Sequence, residues 1–140
     1  MIRKLAHLNF VTNDLEKIID FYVNKLGLKV KFTLDNKESK PFGYYFACGD
    51  TTFLEFFDQK MAVEMWGGKV EELNTGTRYR HFCLEVTALE EFCQMLKDKG
   101  VPVSPITMGI DNSLQAWIAD PDGNAIELME YGFSSLQLNG

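Results

Sequence analysis

The sequence predicts an α+β fold built from two βαβββ modules, and three observations carry that expectation. The only two histidines, His7 and His81, stand 74 residues apart, and each opens an apolar alternating stretch. Each is followed by a glutamate in another such stretch: Glu55 lies 48 residues after His7, and Glu127 lies 46 after His81. Laid over each other on the histidines, HLNFVTNDLEKIIDFYVNKLG and HFCLEVTALEEFCQMLKDKG align Leu15 with Leu89, Glu16 with Glu90 and Lys25 with Lys99, with a one-residue slip at the glycines. A chain that repeats itself in this way is two copies of one supersecondary unit.

The elements follow in order. Residues 2–12 alternate apolar with polar or small, as a half-buried strand does. Asn13 or Asp14 is placed to cap a helix on which Leu15, Ile18, Ile19, Tyr22 and Leu26 recur at helical spacing, and Gly27 ends it. Strands follow near 28–35, 42–48 and 51–58, the first two separated by the polar loop DNKESKP and the last two by a Gly49–Asp50 hairpin turn. The second half predicts a strand over 78–87 and a helix over 88–99 with Leu89, Phe92, Cys93 and Leu96 on its apolar face. Further strands are expected near 101–106, 114–119 and 124–131, with the turn DPDGN between the last two. The organisation is one domain over 1–140, with modules of about 1–58 and 78–131 joined by a connector, 59–77, whose start at 60–66 reads as a short helix. The tail GFSSLQLNG carries no address and reads as either disordered or closing over the pocket.

Composition narrows the function. At 140 residues with 46% hydrophobic residues and 13% aromatics, the chain has ample material for a core. A net charge of −6 without a basic run argues against nucleic acid or an anionic membrane as the main partner. No apolar stretch approaches the ~20 residues of a membrane helix, and the start lacks a secretory layout. Three cysteines with no CxxC pair fit reduced thiols in a cytoplasm.

Two imidazoles and two carboxylates form a donor set for a divalent first-row metal. Strand parity then groups their neighbours. His7 shares its face with Leu5, Asn9 and Val11; Glu55 with Phe53 and Phe57; His81 with Tyr79, Cys83 and Glu85; Glu127 with Ala125, Met129 and Tyr131. If these faces line one surface, the site is an apolar pocket with a few polar groups, suited to a small molecule. Trp117 is expected in the core.

These residues resemble the vicinal oxygen chelate superfamily, the glyoxalase, bleomycin-resistance and extradiol dioxygenase group, over nearly all of 2–131. DPDGNAIEL is similar to that family's closing motif, HLNFVTNDLEKIIDFYVNKLGLKV to its first module, and GTRYRHFCLEV to the start of its second. The resemblance implies that the two modules form a curved eight-stranded cup. It also implies that His7, Glu55, His81 and Glu127 are metal ligands, and that a homodimer forms in which the cup lies within one chain or is exchanged between two. It names zinc or nickel first, while the ligand types leave cobalt, manganese and iron open. The implied activity is that of the lactoylglutathione lyases: proton transfer alpha to a carbonyl through a metal-chelated enediolate, with a small hydroxycarbonyl compound or a thiol hemithioacetal as substrate. Glu127 is the implied base, and Glu55 holds the metal or acts on the opposite face.

The resemblance has departures that bear on substrate. Val11 stands where those enzymes commonly carry an arginine that contacts glutathione, and Gln59 stands where they often carry asparagine. Arg78 and Arg80 flank the entrance of the second module as candidate replacement anion binders, although Arg80 has the wrong parity to share the face of His81. Asn9, Val11, Phe57, Gln59, Arg78, Cys83 and Met129 are therefore the expected substrate contacts. Two other readings accompany the lyase: an epimerase of the same superfamily, and a metal-free module of the bleomycin-resistance kind that sequesters a drug in an aromatic cleft.

Overall fold

Residues 1, 3–74 and 79–140 are described by the structure, a computed structural model. The chain divides into two compact units, Met1–Asn74 and Thr75–Gly140. The first opens with strand β1 (His7–Thr12) and helix α1 (Leu15–Ile19), which widens into a π-helical stretch over Asp20–Lys25. Of the two capping candidates, Asp14 serves: its carboxylate accepts the Lys17 N–H at 3.1 Å. Gly27, at φ 81°, takes the left-handed conformation that ends the helix. Strands β2 (Lys29–Asp35), β3 (Pro41–Ala47) and β4 (Phe53–Asp58) follow, then helix α2 (Gln59–Trp66), capped by the Asp58 side chain.

The second unit repeats this order with β5 (Phe82–Glu85), α3 (Leu89–Asp98), β6 (Thr107–Met108), β7 (Leu114–Ala119) and β8 (Ala125–Glu130), and adds a terminal turn, α4 (Leu136–Asn139). Each unit carries one four-stranded sheet, in the orders β1-β4-β3-β2 and β5-β8-β7-β6. In each, the first and last strands of the module pair in parallel and the remaining neighbours are antiparallel. The α+β expectation and the βαβββ repeat are met. Among the described residues no helix is long and apolar enough to cross a membrane.

Alternation sends one face of each sheet under its helix. Leu54 and Phe56 of β4 join Ile18, Tyr22, Phe42 and Phe46 in the first core, where Tyr22 packs at 4.9 Å from Phe56 and 5.5 Å from Phe46. Ile126 and Leu128 of β8 join Leu89, Cys93, Leu96, Ala116 and Ile118 in the second. Glu55 and Glu127, at intervening positions, take the opposite faces.

Three expectations are corrected. Among the described residues the first strand begins at His7 and β5 covers Phe82–Glu85, both shorter than expected, while the expected starts at 2 and 78 lie outside the described residues. No strand forms over 101–106, because Pro102 and Pro105 lack the N–H that a ladder requires. Ser104 ties that segment to β7: its N–H donates to the Trp117 carbonyl at 3.0 Å, and its hydroxyl accepts the Trp117 N–H at 2.9 Å. The tail is ordered, and it is fastened to the loop between β6 and β7.

Helix α3 has an unusual start. Ala88 sits in left-handed conformation (φ 52°) and offers no side-chain cap. Glu130, at the end of β8, caps instead, accepting the Ala88 and Leu89 N–H groups at 3.2 and 2.8 Å. A charged acceptor at a helix N-terminus is stabilising. Glu130→Ala is expected to cost about 1–2 kcal/mol in urea unfolding; a loss below about 0.3 kcal/mol contradicts the capping role.

Candidate metal centre

Each sheet places its glutamate on an interior strand. Glu55 on β4 lies between Asn9 on β1 and Tyr45 on β3; Glu127 on β8 lies between Cys83 on β5 and Trp117 on β7. Each histidine precedes the parallel partner of its glutamate by two residues, and so reaches the carboxylate diagonally along one face. His7 Nε2 stands 3.5 Å from Glu55 Oε2, and His81 Nε2 stands 3.2 Å from Glu127 Oε2. Both carboxylate residues are buried, at 8% and 7% exposure, while both imidazoles are exposed at the surface of their unit.

An aromatic edge fixes each imidazole. Tyr45 meets His7 at 5.6 Å and Trp117 meets His81 at 4.7 Å, both edge-to-face. The Tyr45 phenol is pushed up by burial and by its hydrogen bond to Glu55 and that residue's charge. Burial pushes the Cys83 thiol up to about 12, with the charge of Glu127 and a hydrogen bond to it adding to the shift. Each buried carboxylate therefore has one weakly acidic donor across the strand, a phenol for Glu55 and a thiol for Glu127.

The donor chemistry fits a metal ion. Two atoms each about 2.1 Å from one ion, at angles between tetrahedral and octahedral values, lie roughly 3.0–3.4 Å apart, close to the separations of both pairs. An imidazole nitrogen and a carboxylate oxygen are also the ligand types of divalent first-row metals. Each unit by itself supplies one such pair, and among the described residues no group of three or more ligating side chains gathers.

The remaining expected contacts divide. Asn9 and Cys83 flank the carboxylates directly, and Val11, exposed, lies opposite Phe57. Phe57 packs edge-on against Trp66 at 5.3 Å. Gln59 is buried, with its amide accepting the Glu71 N–H at 2.7 Å and donating to the Glu71 carbonyl at 3.0 Å and to Asn13 at 3.3 Å. Those bonds commit it to holding the connector. Met129 is buried beneath Gln137, and Arg78 lies outside the described residues. Tyr45 was not among the expected residues, and Trp117, expected in the core, is half-buried with its edge on His81. Both were within reach of counting. The antiparallel pairs reflect through the turn centres Asp50 and Asp122, which carries Glu55 onto Tyr45 and Glu127 onto Trp117.

Residues 4–128 match the model of the glyoxalase/bleomycin resistance protein/dioxygenase superfamily. The chain belongs to that superfamily. It is 31% identical over 134 residues to a lactoylglutathione lyase of Escherichia coli O157:H7, covering 91% of this chain and 92% of the relative. Among solved structures, the fold is similar to a lactoylglutathione lyase from Agrobacterium tumefaciens (TM-score 0.68, 21% identity, 93% of this chain and 97% of that one). It is also similar to an antibiotic-binding protein from Streptomyces sp. CB03234 (TM-score 0.70, 23% identity, 94% and 98%). The lyase relative and the family support a glyoxalase-type function that generally involves a divalent metal ion and a small-molecule substrate. The superfamily also holds members that bind without catalysis.

The thiols yield a prediction. Burial raises Cys48 to about 11 and also raises Cys93, so with Cys83 all three are protonated at neutral pH. Iodoacetamide at pH 8 is expected to label the native chain at least about tenfold more slowly than the urea-unfolded chain, whose thiols titrate near 8.5. Mass spectrometry reads this, and one cysteine reacting at the unfolded rate contradicts it.

Proposed function

We propose that this protein is a metal-dependent lyase or isomerase of the glyoxalase type, moving a proton alpha to a carbonyl in a small hydroxycarbonyl compound or thiol hemithioacetal. The observation that carries the reading is the matched pair of contacts, 3.5 Å for His7 with Glu55 and 3.2 Å for His81 with Glu127. Both bring a buried carboxylate to an imidazole nitrogen, the ligand types of a divalent first-row metal. His7, Glu55, His81 and Glu127 would hold one divalent ion, zinc or nickel, in a homodimer. When bound, the ion supplies Lewis-acid polarisation of the substrate carbonyl.

The protein's own groups do the rest. Glu127 takes the alpha proton on a carboxylate oxygen and returns it to the neighbouring carbon. Its cross-strand donor is a thiol, a weak hydrogen bonder, so this carboxylate is the freer of the two. Glu55, hydrogen-bonded by the Tyr45 phenol, stays fixed as a ligand. Tyr45 and Trp117 hold the imidazoles edge-on, one in each unit.

Ligand loss and loss of chemistry separate by substitution. His7→Ala and His81→Ala are each expected to weaken zinc or nickel binding by about 100-fold or more, with turnover of the methylglyoxal adducts of 2-mercaptoethanol and glutathione lost in parallel. Glu127→Gln is expected to lower turnover by at least about 100-fold. Undiminished metal in both histidine variants overturns the proposal. Alpha-proton exchange with racemisation, and no isomerised product, reassigns the site to an epimerase.

A further inference from the structure

The Glu127 face continues beyond the metal pair, within the second unit, into a polar wall built by the tail. Two residues past Glu127 on β8, about 7 Å along the strand, Met129 is covered: the Gln137 amide donates to its sulfur at 3.4 Å and to Asp111 Oδ2 at 3.1 Å. The Tyr131 hydroxyl donates to Gln137 Oε1 at 3.2 Å. Gln115 pairs directly with Met129 across β7 and lies on the same face. Position 137 is held from behind. The Leu136 N–H donates to the Asp111 carbonyl at 2.8 Å, and the buried Ser113 and Ser135 hydroxyls bond at 2.8 Å.

This wall is rich in acceptors and carries negative charge. The Ser113 hydroxyl and Gln137 hold Asp111 below the usual carboxylate range, so it stays ionised. Tyr131 is pushed up by burial first, and the carboxylate charges of Glu85 and Asp111 add to the shift, so both act on its phenol. Among the described residues neither Asp111 nor Glu85 forms an ion pair.

We propose that the C-terminal segment is the specificity wall of the site, with Gln137 and Tyr131 selecting a substrate tail that donates hydrogen bonds, a hydroxyl or an ammonium, and rejecting a carboxylate. The inference rests on the reading of Glu127 as part of the reacting centre. A substrate whose carbonyl lies at Glu127 and that runs along β8 meets Tyr131 and Gln137 with its far end, since Gln137 covers Met129. A donor there meets the phenol oxygen, the amide oxygen and the field of Asp111. A carboxylate there meets the like charge of Asp111.

The test uses metal-loaded protein and a matched series of hydroxamic acids, in which the hydroxamate takes the metal and a methylene spacer crosses the distance to the wall. The far end carries a hydroxyl, a primary ammonium or a carboxylate, and calorimetry gives each affinity. The hydroxyl and ammonium compounds are expected to bind about tenfold more tightly than the carboxylate in the native chain, the loss that one unanswered charge produces. The margin of hydroxyl over ammonium identifies which donor the wall takes. In Gln137→Ala and Tyr131→Phe the preference is expected to fall to about threefold or less, with metal content unchanged. Equal or tighter binding of the carboxylate compound by the native protein overturns this inference and leaves the metal centre standing. Failure of the protein to load zinc or nickel overturns both.

Discussion

A carboxylate set into the middle of a sheet has to be answered by positive charge, and that constraint shapes both halves of this protein. Glu55 and Glu127 are each less than a tenth exposed, and each faces an imidazole nitrogen rather than a lysine or arginine. A buried, unanswered carboxylate costs several kcal/mol or gives up its charge. An imidazole answers it in either of two ways: protonated, as an ion pair, or neutral, as a second ligand to a cation that both groups share. Only the second leaves a Lewis acid beside a potential base. The donor separations suit it.

The topology explains why the same answer appears twice. In each module the first and last strands pair in parallel, so the histidine of one and the glutamate of the other meet two residues apart on one face. The third strand of the module then brings an aromatic ring to the carboxylate's other side. Helix packing on the reverse face locks the register, since a one-residue slip would send Glu55 and Glu127 into the cores now filled by Phe56 and Leu128. Core and site are therefore alternate readings of the same strands. The two carboxylates are not equivalent, because Tyr45 is a stronger hydrogen-bond donor than Cys83.

Much of this was legible from local pattern. Period-two runs, the Gly49–Asp50 and DPDGN turns and the repeated histidines sufficed for the modules and for the faces of the four ligand candidates. Parity tells which face a residue takes but not which side chain lies beside it. Tyr45 and Trp117 emerge only when the hairpins are reflected about their turn centres. Asn9 and Cys83 depend on parallel pairing across an intervening helix, which leaves no local trace. The stretch 101–106 has strand-like valines, but two prolines in six residues remove the donors a ladder needs. The tail is short and polar, and its order comes from distant bonds to Asp111, Asn112 and Ser113. No composition rule reports those.

X-ray absorption of the zinc- or nickel-loaded protein reads the atoms around the ion directly. A first shell of nitrogen and oxygen only is expected, with the outer-shell scattering of two imidazole rings. A sulfur neighbour near 2.3 Å, the distance of a thiolate ligand, would contradict it by placing Cys83 in the shell. A shell with a single imidazole would contradict it by leaving one His–Glu pair without its ion.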